Sequence, residues 1–453
     1  MVTCLYGIPF ILLANLSGNC LAFALFFLNA TGRSDAEAYK GAIIGIAFVA
    51  LTLVLTIHVF SRRGGIIINN FFAVLKVGLL IAIVVLGFAN SNAETRAKNF
   101  SPDQAFLNRK SDLSSYTRSL LFVVYSYMGF EQPFYVLAEA RSPRRVFPRY
   151  TFLASCIGVV LYILVNIAYF CVVPRDYPGI EDETNMAMVF FRIIFGKDNE
   201  MAQRALSGII ALCIFGNILV MTFTASRVKQ EVAKEGILPF WTFFATSRRT
   251  PWALWKTWRG TRDGQEHDQS PMAALGLHWV ASAVLIACTA MLGPQIAYQV
   301  LVSLYSYSVI VLNGFVTALG LLMLYIQPAR QWRQLRSWTP PGGGLPYAAI
   351  YTVAFLFLLV TAFVPPREDS PFGFRATGIR WWVVPAVGLL AVGFGGVWYL
   401  LLRLVMVVRG RTLEQTRSPY LLRDQDTGEW VLMAEVVKVH WRVTKASAVW
   451  NKP

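Results

Sequence analysis

The chain has 453 residues, of which 56% are hydrophobic, 14% aromatic and only 15% charged. This composition excludes a soluble globular protein and indicates an integral membrane protein. Nucleic-acid-binding proteins can also carry a net charge as high as the +16 found here, but the basic residues fall in short loops between apolar runs, so we expect no nucleic-acid partner.

Ten apolar segments are each near or above the length of about 18 residues that a membrane-crossing helix needs. In chain order they cover residues 4–28, 41–60, 67–89, 117–139, 150–173, 204–226, 272–291, 297–326, 346–364 and 381–407. The first lacks a basic n-region and a small-residue cleavage site, so we interpret it as a retained helix and not a signal peptide. The prediction is an all-α integral membrane protein with a transmembrane domain over residues 1–408 and a tail over residues 409–453.

Basic residues concentrate in every second loop, and the tail belongs to the same set. Lys and Arg mark cytoplasmic loops, so this pattern places both termini in the cytoplasm of a multi-pass protein, which we expect in the plasma membrane. We expect the tail to be a loosely packed cytosolic end. An interfacial amphipathic piece around residues 430–441 is the alternative.

The fourth segment, residues 117–139, contains Gly129 and Pro133, two helix breakers four residues apart, and the acid Glu131 between them. Pro133 has no N–H for the carbonyl four residues before it, so backbone groups near Gly129 lose their partners. Such groups occur at membrane depth only where they face protein or a water-lined cavity. The pattern favours a discontinuous helix with a binding site at its break, as in secondary transporters. The alternative is a proline kink accommodated by neighbouring helices.

Few charged or titratable residues lie inside the segments, and each has two interpretations. Glu131 either caps the second half-helix or is a protonatable group beside a substrate cavity. Lys76 either extends to the interface or is a charge facing the bundle. His58 is expected at the interface. The six cysteines have no metal-ligand spacing and suggest no disulfide framework, so no metal or other cofactor is expected.

Two stretches resemble signatures of the amino acid/polyamine/organocation (APC) transporter family. Residues 122–131, Phe-Val-Val-Tyr-Ser-Tyr-Met-Gly-Phe-Glu, followed by residues 138–148 with two prolines five residues apart, are similar to the family's sixth-helix signature. Residues 226–239, Ser-Arg-Val-Lys-Gln-Glu-Val-Ala-Lys-Glu-Gly-Ile-Leu-Pro, are similar to the motif after its eighth helix. Lys76 resembles a lysine of the fifth helix.

The resemblance implies a twelve-helix, LeuT-like inverted-repeat bundle whose first and sixth helices are broken around the substrate. Tyr125 then corresponds to an aromatic lid, and the main-chain carbonyls of Tyr125 and Met128 to those that bind the substrate ammonium. Ser126 and Gly129 complete the predicted substrate-binding set. Lys76 corresponds to a lysine that stands in for a sodium ion, which favours proton-coupled or uncoupled transport.

One feature departs from the family pattern. Five spans are expected before the broken helix, and the sequence contains three, so about 10 of 12 helices are present. We therefore expect that the first two helices, including the broken first one, are missing through a mispredicted start or a truncated gene. Upstream coding sequence would then encode two further apolar segments. Only half of the family's site is then present, so the resemblance does not imply transport by this polypeptide alone.

The expected function is secondary-active transport of an amino acid or a related small organic cation by alternating access, with Glu131 and Lys76 coupling it to protons. One alternative is a non-transporting amino acid sensor on the same fold. Another is the light chain of a heteromeric exchanger, but residues 29–40 contain no cysteine for a disulfide-linked heavy chain. No catalytic pair, phosphate loop or metal cluster suggests an enzyme. The sequence does not determine which amino acid is bound.

Overall fold

The computed structural model describes residues 1–13, 16–105, 113–137, 143–177, 186–196, 199–259, 269–327, 343–366, 379–423 and 430–443. The helices in these ranges are α1 (Val2–Leu13), α2 (Ser17–Ala30), α3 (Lys40–Phe60), α4 (Arg62–Ala89), α5 (Ala93–Phe100), α6 (Pro102–Ala105), α7 (Leu113–Ser126), α8 (Gln132–Tyr135), α9 (Pro143–Val172), α10 (Met186–Phe195), α11 (Glu200–Lys234), α12 (Trp241–Ala245), α13 (Pro251–Trp258), α14 (Met272–Thr289), α15 (Pro294–Tyr305), α16 (Asn313–Ile326), α17 (Gly344–Thr361) and α18 (Val383–Val408), with a π-helical segment at Ser306–Leu312. The strands are β1 (Arg248–Arg249), β2 (Gln269–Ser270), β3 (Arg411–Arg423) and β4 (Trp430–Val443).

Among the described residues, nine helical stretches are long and apolar enough to cross a membrane. They are Val2–Ala30, Lys40–Phe60, Arg62–Ala89, Val146–Val172, Glu200–Lys234, Met272–Thr289, Pro294–Ile326, Gly344–Thr361 and Val383–Val408. Each overlaps one of the ten predicted spans. The remaining predicted span, the fourth in chain order at residues 117–139, is divided between α7 and α8, and each piece is too short to cross a bilayer alone.

Helix α11 lies at the centre of the bundle, where it contacts α1, α2, α3, α4, α8, α10, α12 and α14. Its buried face carries small residues, namely Ser207, Ala211, Gly216, Ala225, Ser226 and Ala233. Small side chains let helices approach closely, and this replaces the hydrophobic drive that is missing between apolar helices in lipid. The large hydrophobic core is built around α11 together with α1, α2, α3 and α15.

The tail contains an antiparallel hairpin, so the prediction of a loosely packed end is wrong for the described residues. Strands β3 and β4 pair from Arg411 opposite Val443 to Arg423 opposite Trp430. The sequence Val437-Lys-Val-His-Trp-Arg-Val443 alternates apolar and polar residues with the two-residue period of a strand, and valine favours strands.

Charged groups attach this hairpin to the end of α11. The guanidinium of Arg417 in β3 lies 2.6 Å from the Glu235 carboxylate, 3.3 Å from that of Glu231 and 3.4 Å from that of Glu435. Burial alone would lower the pKa of Arg417, but the three carboxylates outweigh burial and raise it. The guanidinium is therefore charged and joins β3, β4 and α11 in one network.

We expect Arg417→Ala to loosen the hairpin, because β3 would lose its ion pairs to α11 and β4, and Glu235 would lose the guanidinium that it contacts. Lys234 would still pair with Glu231 and Glu435, so the loss should be partial. Hydrogen exchange of residues 411–423 should become about fivefold faster, which corresponds to about 1 kcal/mol for a partly exposed charge network. The matched control is Arg442→Ala, which removes an ion pair to Glu414 that is 67% and 47% exposed and lies within the hairpin. Equal exchange in Arg417→Ala and the control would contradict the role of this network.

Candidate functional site

The predicted break in residues 117–139 is present. Helix α7 ends at Ser126, α8 begins at Gln132, and Gly129 between them has φ of 109°. This backbone conformation favours glycine. Pro133 lies in the first turn of α8, where a helix does not use the missing N–H, so the proline starts the second half-helix and the glycine makes the turn.

Glu131 holds the turn together. One carboxylate oxygen accepts the N–H of Gly129 at 3.0 Å, and the other accepts the side-chain amide of Gln132 at 2.8 Å. Although Glu131 is the N-cap residue of α8, its side chain makes no capping hydrogen bond. The carboxylate is therefore directed into the break and does not cap the helix that follows.

Gln132 and Thr224 link the Glu131 side chain to the central helix α11. Gln132 is 7% exposed and Thr224, on α11, is 4% exposed. The Thr224 hydroxyl donates a hydrogen bond to the side-chain oxygen of Gln132. The break is therefore attached to α11 through two buried polar groups. The sequence prediction did not include either residue, because nothing local pairs them across 92 positions.

Tyr125 connects the break to the first span. Its hydroxyl donates to the side-chain oxygen of Asn19 on α2 at 3.1 Å. Its carbonyl accepts the N–H of Met128 at 3.1 Å, so one of its two lone pairs is in use. The Ser126 hydroxyl donates to the Val123 carbonyl at 2.8 Å, within its own helix. The Tyr125 carbonyl can therefore accept one more hydrogen bond. The Ser126 hydroxyl already donates its hydrogen to Val123 and can only accept.

All seven residues predicted for the site line one cavity of about 720 Å³. These are Lys76, Tyr125, Ser126, Met128, Gly129, Glu131 and Pro133. The cavity also reaches Asn19, Asn217 and Tyr305, and it extends to His58 and Gly65, where α3 ends and α4 begins. Apolar side chains make up much of the wall, including Ile214, Val220, Met221, Phe223, Leu301 and Val302.

Two basic side chains, His58 and Lys229, were not predicted to be buried. His58, in the last turn of α3, is 3% exposed and its Nε2 lies 2.8 Å from the Leu219 carbonyl, so its ring packs inside the bundle. Lys229 on α11 is fully buried, with its Nζ 2.8 Å from His278 Nδ1 on α14. Lys229 lies on the same helix face as Ser226 and Ala233, and this spacing is the signal in the sequence that could have identified it as buried.

Comparison with known proteins gives the family. A family profile described as amino acid permease matches residues 1–400. The high-affinity methionine permease of Saccharomyces cerevisiae is 28% identical over 405 residues, which cover 88% of this chain and 64% of the permease. The b(0,+)-type amino acid transporter 1 of Oryctolagus cuniculus is 26% identical over 234 residues, 51% of this chain and 46% of that protein.

The chain thus spans less than two thirds of the length of these relatives. Its relatives are transporters and not enzymes, and the family profile covers nearly all the described spans. The chain is a multi-pass integral membrane protein that belongs to the amino acid permease family within the APC transporters.

Proposed function

We propose that this protein transports an amino acid across the membrane by alternating access, with the substrate ammonium at the break between α7 and α8. The observation that carries the proposal is the broken helix, whose turn residues line a cavity of about 720 Å³ in the bundle. The end of α7 is the negative pole of a helix, and the Tyr125 carbonyl there has a second lone pair for a donor, so both favour a cation. Tyr125 acts as the gate, because its hydroxyl bridges from α7 to Asn19 on α2 and both residues line the cavity.

The substrate we infer has a neutral, apolar side chain. Much of the cavity wall is aliphatic, aromatic or methionine side chains, such as Met221, Phe223 and Leu301. A flexible thioether side chain fits irregular apolar pockets well. A relative that matches 88% of this chain is named as a methionine permease, which supports methionine as the first substrate to test.

Uptake of labelled methionine into proteoliposomes containing the protein tests the proposal. We expect accumulation that excess unlabelled apolar amino acids suppress and that glutamate or lysine does not. Binding in detergent should be measured beside uptake. Binding without accumulation would favour the sensor alternative, and absence of both across an amino acid panel would overturn the proposal.

Glu131 is the residue we propose to carry the coupled proton, with Lys76 as a cation lining the same cavity. A fixed cation disfavours a bound sodium ion by repulsion, so coupling to protons is the more favourable arrangement. Acid-driven accumulation requires a group that is protonated and deprotonated during the cycle, and Glu131 is the acidic residue among those lining the described cavity.

Glu131→Gln should separate a proton role from a structural one. The amide oxygen of glutamine can still accept the N–H of Gly129, so substrate binding should remain within about threefold of wild type. Accumulation driven by an imposed pH gradient should be lost. Glu131→Ala removes both hydrogen bonds and should weaken binding by about 10- to 100-fold. Gradient-driven accumulation by Glu131→Gln would rule out Glu131 as the proton carrier.

A further inference from the structure

The segment from Phe240 to Arg259, which contains α12, β1 and α13, has an unusual combination of charge and aromatic residues. The chain has no Asp or Glu from Gly236 to Arg259, and the basic residues of the segment are Arg248, Arg249, Lys256 and Arg259. The next acidic residue in the chain is Asp263. A run with one sign of charge attracts surfaces of the opposite sign.

Large apolar side chains are exposed on the same segment. The exposed fractions are 81% for Phe240, 82% for Trp258, 54% for Leu254, 53% for Phe243 and 37% for Trp255. Leu254, Trp255 and Trp258 lie three and four positions apart in α13, so they share one face of this helix. Exposed clusters of this kind mark an interaction surface.

The segment is held firmly against the bundle at the ends of the spans. The side-chain amide of Gln230 on α11 donates to the Ala245 carbonyl at 2.8 Å and to the Ser247 hydroxyl at 2.9 Å. Thr250 is fully buried, and its hydroxyl accepts the N–H of Ala253 at the start of α13. These hydrogen bonds attach the segment to α11 and cap the start of α13.

Helix α13 lies beside the exposed last residue of α3. The Phe60 ring, 50% exposed at the last residue of α3, lies 6.0 Å from the Trp252 ring. The aromatic face of α13 is therefore level with the end of a span, where the acyl chains meet the headgroups. Tryptophan and phenylalanine at this depth bury their rings among lipids.

The basic groups and aromatic rings are arranged as pairs. The Arg259 guanidinium lies 4.0 Å from the centre of the Trp255 ring, and Lys256 Nζ lies 5.6 Å from the centre of the Trp252 ring. Each ring thus carries a cation beside it, as at an interface where rings contact acyl chains and cations contact headgroup phosphates.

We propose that residues 240–259 form a membrane-surface element that binds the anionic phospholipid headgroups of the leaflet next to the ends of α3 and α11. The partner is the surface of the membrane in which the protein lies, recognised by its negative charge and by the apolar layer beneath it. The inference goes beyond amino acid transport and is independent of whether the chain carries substrate.

Hydrogen exchange of the full chain in nanodiscs tests the proposal. Nanodiscs of phosphatidylcholine alone are compared with nanodiscs in which about a third of the lipid is phosphatidylserine. We expect the backbone of residues 248–259 to exchange at least fivefold more slowly in the anionic nanodiscs, since each basic residue near an anionic surface strengthens association by about fivefold. The protection should decrease in high salt, which screens the charges.

Two variants identify the cause of the protection. Arg248→Gln combined with Arg249→Gln, Lys256→Gln and Arg259→Gln should abolish the dependence on phosphatidylserine. Trp258→Ser should speed exchange in both lipids, because it removes an apolar anchor. The control, Arg411→Gln with Arg442→Gln, removes basic residues from the hairpin and should leave the dependence unchanged. Equal exchange in the two lipids, or a dependence that survives the fourfold variant, would overturn the proposal.

Discussion

Gly129→Ala is expected to reduce substrate binding and uptake by at least tenfold while the protein remains folded. Gly129 has φ of 109°, a conformation that residues with a β-carbon rarely adopt, and the cost of forcing one into it is about 1–3 kcal/mol. The environment does not cause this cost, because a β-carbon at Gly129 would have no atom within 4 Å. The turn must change instead, and its carbonyls and the Gly129 N–H bound by Glu131 would move with it.

Gly158→Ala provides the matched control. Gly158 lies inside α9, and a β-carbon there would also have no atom within 4 Å. Alanine is favoured over glycine inside a helix by about 0.5–1 kcal/mol, so this variant should keep wild-type uptake and melt at the same or a slightly higher temperature. Binding and uptake should be measured together with thermal unfolding. If Gly129→Ala binds and transports like the control, the turn has no role in substrate binding.

Gly87→Ala is expected to destabilise the protein strongly, because α4 and α9 approach closely at this position. A β-carbon at Gly87 would overlap the β-carbon of Ala168 and lie 3.0 Å from its α-carbon, which belongs to the backbone of α9. Ala168 is fully buried, so no flexible side chain can move aside. Overpacking of this kind costs about 1–3 kcal/mol. The two helices also carry Lys76 and Tyr162 into the cavity, so substrate binding should weaken too.

Gly78→Ala in the same helix separates packing from helix propensity. A β-carbon at Gly78 would meet no atom within 4 Å. We expect this variant to be as stable as wild type or slightly more stable, whereas Gly87→Ala should unfold at a clearly lower temperature in the same detergent. Identical melting of the two variants would contradict the close contact between α4 and α9.

Local features of the sequence were sufficient for the spans, the break and the family. Apolar length predicts a crossing helix because each such helix must satisfy its own hydrogen bonds in lipid. Gly129 and Pro133 lie four residues apart in one segment, so their effect on the helix is visible without any tertiary contact. The family profile agrees with the resemblance drawn from the motifs at residues 122–148 and 226–239.

The sequence was not sufficient where a charged or polar pattern had two solutions. Glu131 at the start of α8 has the position of a capping residue, yet its carboxylate binds Gly129 and Gln132. The tail has alternating residues that suit a strand, but a strand needs a partner and a surface. The docking of β3 on α11 through Arg417 supplies that surface.

By itself the sequence determined which segments are long and apolar enough to cross a membrane, where one of them is interrupted and to which family the chain belongs, since these depend on residues close together in the chain. Only the tertiary structure decided that Gln132 contacts Thr224 and that Lys229 contacts His278. The two residues of each pair lie 92 and 49 positions apart in the chain, on different helices. Partners at such separations are selected by how whole helices pack, and no local pattern of polarity or period contains that information.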